Sequence, residues 1–252
     1  VKKYGQRPAQ ISLFKDGEPL LNKNLPEMIS ILNKKNLTDQ LEITTNASAL
    51  TPENSTKIIK AGLKKIRFSI YHLNDAGYLK VTNNKINFKK IFENVKNFWK
   101  IKKELGSEVY VTAKIINVDL SKEDELFFKK TFEPYSNEAQ INYLHGWSDS
   151  GQKDLKLGKN KDKSVHGENY YFKKICSQPF SRLTVLFNGD ITPCCVDWSH
   201  KLVVGNVKNE SLDHLWNKQA NPLRKDHIEG NIGKDSPCFN CNYALGHGEL
   251  ED

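Results

Sequence analysis

The sequence predicts an α/β protein in two parts, a half-barrel of alternating strands and helices followed by a small cysteine-bearing module. Three observations carry this. Short β-rich runs alternate with helical patterns over the first part of the chain, which implies a parallel sheet with right-handed crossovers. Those runs share a parity, apolar on one side and polar on the other, whereas a sheet buried on both faces reads as apolar throughout. All five cysteines, Cys176, Cys194, Cys195, Cys238 and Cys241, lie beyond residue 175.

Taken in order, the strand candidates are 10–14, 41–45, 65–70, 109–116 and 139–144. Helix candidates lie between them near 25–35, 52–62, 87–105 and 121–132. The third of these is the clearest. Phe88, Ile91, Phe92, Val95, Phe98 and Trp99 recur at i, i+3, i+4 and i+7, and Leu105-Gly106 supplies the stop. Ser121 opens the next helix, with Glu123 and Asp124 at its positive end.

Parity then orients the strands. Ile66, Phe68 and Ile70 point one way, Arg67 and Ser69 the other. Val109, Val111, Ala113 and Ile115 oppose Tyr110, Thr112 and Lys114, and Leu41, Ile43 and Thr45 oppose Glu42, Thr44 and Asn46. One apolar face toward covering helices and one polar face suit a barrel or half-barrel around a polar cavity. Such folds place their chemistry at the carboxyl ends of strands. Residues 15–21, 46–51 and Tyr71-His72 occupy those ends. Taken alone, Gly17-Glu18-Pro19 reads as an ordinary turn.

In the tail, Asn188-Gly189 between two β-rich runs (182–187 and 190–195) is a hairpin signal that brings Cys176 toward Cys194. A Ser-capped helix follows over 211–217, with Leu212, Leu215 and Trp216 as its apolar side. Cys238 and Cys241 form a Cys-x-x-Cys that lets two thiolates reach one metal centre from a single turn. Four thiolates suit zinc or an iron–sulfur cluster equally well. A zinc ribbon pairs two Cys-x-x-Cys knuckles, whereas here a whole hairpin separates the first pair, which shifts the balance toward iron–sulfur. Either Cys194 or Cys195 is left as the fifth thiol.

Composition narrows the function classes. The chain has 252 residues, 38% apolar and 27% charged, as in a soluble globular protein. No run reaches the ~18 apolar residues of a membrane span, and no charged-then-apolar leader opens the chain, so a cytoplasmic location is expected. The formal charge is +8, but only Arg7, Arg67, Arg182 and Arg224 among the 38 basic residues are arginine. Phosphate and base readers favour arginine's planar fork, so a solvated lysine-rich surface is expected and a nucleic-acid partner is not.

At this point the residues resemble a known family. The tail, from Cys176 through Gly189-Asp190, Cys194, Gly205-Asn206, Trp216 and Arg224 to Cys238-Phe239-Asn240-Cys241, resembles the SPASM extension of radical S-adenosylmethionine (radical SAM) enzymes in its shortened twitch form. The resemblance implies one auxiliary 4Fe–4S cluster ligated by Cys176, Cys194, Cys238 and Cys241. The first part is similar to the radical SAM partial (β/α) TIM-like barrel. Gly17-Glu18-Pro19 matches the Gly-Glu motif, whose backbone holds the methionyl amine of S-adenosylmethionine. Thr45-Asn46 falls where the family has Thr-Asn-Gly, with Ala47 in place of the glycine. Ser69-Ile70-Tyr71 falls at Ser-Ile-Asp, and Ser69 and Lys114 would contact the cofactor's carboxylate, lysine standing where arginine is common.

One departure is large. The Cys-x-x-x-Cys-x-x-Cys loop of the catalytic cluster precedes the Gly-Glu motif in the family, and residues 1–16 contain no cysteine. The first strand, its loop and the first helix are expected to be missing by truncation, since Val1 is not a start residue, and with them the second 4Fe–4S cluster. The domains implied are an incomplete barrel over 1–150, a linker over 151–168 and the iron–sulfur domain over 169–252. For the complete protein the resemblance implies a radical SAM enzyme that abstracts hydrogen from a peptide or small molecule. Its electron donor would be of flavodoxin or ferredoxin type, and no catalytic side chain is assigned. The alternative is a zinc- or cluster-stabilised binding or scaffold protein. Within the loop over 145–165, His145, Trp147 and Asp149 are candidates to face substrate.

Overall fold

Strands β1 (Gln10–Ser12), β2 (Gln40–Thr45), β3 (Lys65–Ile70), β4 (Tyr110–Asn117) and β5 (Glu138–Tyr143) form one sheet in chain order. This computed structural model describes residues 7–117, 120–143, 170–172, 175–239, 241 and 245–247. The chain divides into two compact units, Val1–Asn142 and Tyr143–Asp252. β1 to β4 pair in parallel, with Ile11 opposite Leu41, Thr44 opposite Arg67 and Ser69 opposite Lys114. All five strands fall within two residues of where the sequence places them.

Helices α1 (Leu25–Lys34), α2 (Pro52–Lys60), α3 (Asp75–Thr82), α4 (Phe88–Glu104) and α5 (Lys122–Phe132) lie between the strands in the chain. The strand parity holds. Ile43, Ile66, Phe68, Val111 and Ala113 are fully buried in one cluster with Ile29, Ile58, Val95 and Phe98. The α4 stripe supplies its centre, and Phe98 meets Phe68 edge-on at 5.5 Å. Asn94 is buried on the same helix, where its Nδ2 donates to the Ala47 carbonyl at 2.8 Å. α5 starts with a capping box in which Ser121 and Asp124 each accept from the other's backbone N–H, both at 3.1 Å.

α3 is a helix the apolar pattern does not announce. Asn74 caps it by accepting from the Gly77 N–H at 2.8 Å, and Asn83 ends it in the left-handed region.

The second unit is built from short pieces. β6 (Tyr170–Phe172) pairs antiparallel with β10 (Leu245–His247), and β7 (Thr184–Val185), β8 (Asp190–Thr192) and β9 (Gly205–Asn206) form a small antiparallel sheet. The Asn188-Gly189 hairpin is present as read, and β9 adds a third strand that the sequence did not signal. Gly189 sits at φ +95°, where a Cβ would also come within 2.9 Å of the Asn206 side chain. Helices α6 (Gln178–Ser181), α7 (Leu212–His214) and α8 (Asn221–Glu229) complete the described part. α7 runs on through a π turn over Leu215–Gln219, and Ser211 caps it as expected.

No helix among the described residues is long and apolar enough to cross a membrane.

Candidate functional site

Two groups of residues singled out by sequence come together, one in each unit. The first lies at the carboxyl edge of the sheet. The Glu18 carboxylate accepts from the Thr45 hydroxyl at 2.6 Å, the Asn46 N–H at 2.8 Å and the Leu20 N–H at 3.1 Å. Gly17-Glu18-Pro19 is thereby stitched to the end of β2, and the last bond caps a 3-10 turn over Pro19–Leu21. Gly17 adopts φ +88° with open space where a Cβ would stand, so conformation, not crowding, calls for glycine. Ala47 carries φ +60° at the position where the resemblance has glycine, and its Cβ is fully buried.

Tyr71 follows β3 and faces the same carboxylate. Burial raises its phenol above the usual range, and the Glu18 charge adds to the shift. Ser69 and Lys114 are register partners on the polar face. Burial lowers the Lys114 ammonium and Arg67 lowers it further, while Glu42 acts in the opposite sense. Glu42, nearly fully buried, pairs with Arg67 at 2.8 Å and accepts from Gln10 Nε2 at 2.7 Å. The polar face therefore holds a compact charge network that continues to Lys114. An open cleft at the opposite, amino-terminal edge, beside Gln40, Lys65 and Tyr110, holds none of the candidate cofactor-binding or metal-ligating residues.

The second group is the cysteines. Cys176 precedes α6, Cys194 follows β8, and Cys238 and Cys241 form a turn closed by the Cys241 N–H on the Cys238 carbonyl at 3.3 Å. All four line one enclosed cavity. Cys195 is not among its lining residues. Its thiol donates to Gln178 Oε1 at 3.4 Å and its sulfur accepts from Arg182 Nη1 at 3.7 Å.

The loop after Cys194 is set by Asp197, a fully buried carboxylate that accepts from the Leu202 N–H at 2.7 Å and the Lys201 N–H at 3.1 Å. That brace presents Val196 and Leu202 to the cavity. Burial, reinforced by neighbouring thiols, pushes Cys194 up to about 12 and Cys238 up to about 11. Among the described residues no three Cys, His, Asp or Glu side chains are grouped to hold a single ion. A cubic cluster gives each thiolate its own iron at a separate corner and spreads its ligands wider than one ion does. The shared cavity is therefore the more informative observation for a cluster.

Two residues, one bracing the loop beside this cavity and one lining it, carry no sequence signal. Asp197 sits in a loop without periodicity. His227 lies on α8, whose charged sequence gives no apolar stripe, yet it is only 5% exposed and lines the cavity. Burial lowers the pKa of its imidazole, and Asp226 partly opposes this. His145, Trp147, Asp149 and the loop over 145–165 lie outside the described residues, as does the linker over 151–168.

Comparison with known proteins finds a family match over part of each unit. A profile of the radical SAM superfamily matches residues 1–117, and one of the SPASM iron–sulfur cluster-binding domain matches residues 176–242. The chain is 34% identical over 68 residues to the S-adenosyl-L-methionine-dependent 2-deoxy-scyllo-inosamine dehydrogenase of Niallia circulans, covering 27% of each. It is 35% identical over 100 residues to the GTP 3′,8-cyclase of Aquifex aeolicus (strain VF5), covering 40% of this chain and 30% of that protein. The matches thus span under a third of the length of these curated relatives.

Among solved structures, Streptococcus suis SuiB bound to S-adenosylmethionine aligns with a TM-score of 0.64 at 14% identity. That match covers 93% of this chain and 60% of SuiB. BtrN in complex with AdoMet and 2-DOIA aligns at 0.52 and 20% identity, over 92% of this chain and 72% of that one. At such identities the likeness is one of fold.

Proposed function

We propose that this chain, which matches the radical SAM superfamily profile over residues 1–117 and the SPASM iron–sulfur cluster-binding profile over 176–242, is part of a radical SAM enzyme acting on a peptide or a small molecule. The observation that carries the reading is the gathering of Cys176, Cys194, Cys238 and Cys241 around one cavity. We assign these four thiolates to a single auxiliary 4Fe–4S cluster and leave Cys195 outside it. The donor set fits, since four sulfurs in a largely apolar enclosure match the preference of such clusters for thiolate and shelter from water.

When bound, S-adenosylmethionine and a catalytic cluster would supply hydrogen abstraction from substrate, and an auxiliary cluster would supply an electron acceptor. The rest is placement by this chain. The loop at Gly17, Glu18 and Pro19, fixed by Thr45 and Asn46, presents its backbone to the methionyl amine. Ser69 and Lys114 take the carboxylate, and the partial burial of Lys114 strengthens that attraction by thinning the water around it. Cys176, Cys194, Cys238 and Cys241 would together hold a cluster with no position left open for substrate, so the chemistry it would supply is electron transfer. A flavodoxin- or ferredoxin-type donor and a cytoplasmic setting complete the reading. Support for the substrate class comes from SuiB, which is solved bound to its precursor peptide SuiA, and from BtrN, solved with 2-DOIA.

Anaerobic reconstitution tests this. With ferrous iron and sulfide, the 252-residue chain is expected to turn brown and hold about four iron and four sulfide. Cys195→Ala keeps that content, whereas Cys194→Ala and Cys238→Ala lose it. Uptake of one zinc per chain with no iron–sulfur chromophore defeats the reading in favour of a zinc-stabilised binding module.

A further inference from the structure

His227 offers the sharpest unexplained feature of the second unit. Its Nε2 is sealed from solvent and has no hydrogen-bond partner among the described residues. An unmade hydrogen bond of this kind costs roughly 1–3 kcal/mol, and native proteins pair nearly all such groups. The ring is held where it is by its own helix. One turn earlier on α8, Arg224 donates from Nε to the Pro179 carbonyl at 2.8 Å and from Nη1 to the Trp216 carbonyl at 2.6 Å. Its guanidinium also stacks on Trp216, 4.0 Å from the ring centroid. Residues three apart share a helix face, so the anchor that fixes Arg224 also fixes the direction of His227.

The surroundings narrow what the imidazole can meet. The cavity it lines is otherwise bounded by the four thiols, Gln178 and apolar side chains such as Val196 and Leu202. Gln178 Oε1 already accepts from Cys195. Sulfur is therefore the acceptor chemistry this enclosure offers to an N–H.

We propose that His227 donates a hydrogen bond from Nε2 to a sulfur of the auxiliary cluster, either a bridging sulfide or a ligating thiolate, and so sets that cluster's reduction potential. The inference rests on the cluster assignment made above. A donor at a cluster sulfur draws electron density from the core and favours the reduced state, which raises the potential. Burial in an apolar enclosure works in the opposite direction, because added negative charge is poorly solvated there. His227 offsets that penalty without adding a net charge, and it makes the cluster a better acceptor of the electron left on substrate. Its role is to tune, and the four cysteines remain the ligands.

The test uses reconstituted protein with His227→Phe, which removes the donor, and His227→Gln, which restores an N–H on a side chain of similar reach. Potentials are read by an EPR-monitored redox titration. The Phe variant is expected to load iron and sulfide as the parent does but to titrate at a more negative potential, with the Gln variant recovering most of the shift. Should the Phe variant fail to load, the Gln variant decides, and a Gln variant that also titrates well below the parent overturns the proposal. So does a Phe variant with the parent's potential. Pulsed EPR of the reduced cluster with ¹⁵N-histidine provides a second readout. Weak coupling to one histidine nitrogen, lost in His227→Phe, is the expected result, and coupling of directly ligated strength overturns the tuning role. A parent protein that takes up no iron–sulfur cluster sinks the cluster assignment itself, whereas a loaded parent with an indifferent His227 sinks only this inference.

Discussion

The two units of this chain reach order by different routes. In the first, β2, β3 and β4 contribute Leu41, Ile43, Ile66, Phe68, Ile70, Val111, Ala113 and Ile115 to one apolar cluster, in which Phe68, Phe98, Phe128 and Phe132 are fully buried. Burial of that kind stabilises without help from a ligand, at about 1.5–3 kcal/mol for each large side chain. In the second unit the apolar side chains buried among the described residues are Leu186, Ile191, Cys194, Val196, Leu215, Ala220 and the prolines Pro179, Pro193 and Pro237. Its order comes instead from turns and single polar braces, such as Asp197 on its loop and the link from Asn206 Nδ2 to Asp190 at 2.9 Å. Small folds with so little core rely on staples, and gathered thiolates are a staple once they hold a metal centre. The first unit is thus expected to fold on its own apolar core, whereas the second would depend on a metal centre held by its thiolates.

Removing iron breaks this comparison most sharply. After chelation, hydrogen exchange is expected to show protection lost at the Leu202 and Val204 amides and retained at Ile43 and Phe68. Equal protection in both units after chelation would refute the difference in mechanism. Next in size is Phe98→Ala, which opens a cavity in the α4–β3 contact and should cost the first unit about 3–5 kcal/mol. Denaturant unfolding measures it, and iron content of the reconstituted protein should not change. The smallest effect is expected at Ser121→Ala, where loss of the capping box on α5 costs about 1 kcal/mol, again confined to the first unit.

The same contrast explains what could be read from the sequence. Periodicity is written by burial, so the α4 stripe and the strand parity were legible, and the Asn188-Gly189 turn was legible from its backbone demand. α3 was not, because Gly77 and Thr82 weaken a helical reading. Its glycine is there for packing, since any Cβ would collide with the His72 ring. α8 was missed because it is anchored by Arg224 on Trp216 and on two carbonyls, contacts that leave no pattern along the chain. The candidate site divides in the same way. Cysteine spacing announced a thiolate site but left Cys194 and Cys195 as alternatives, and only the family resemblance pointed to Cys194. The Glu42–Arg67 pair, brought together by adjacent strands, and the inward His227 depend on tertiary placement that a linear sequence does not display.

The Glu18 carboxylate carries one more consequence. With both oxygens engaged by Thr45, Asn46 and Leu20, the loop at the sheet edge keeps its shape before any ligand arrives. A molecule landing there gives up little affinity to immobilising floppy chain. Glu18 is thus a fixed strut. Were S-adenosylmethionine to dock at this rim as proposed, it would meet a mould already set.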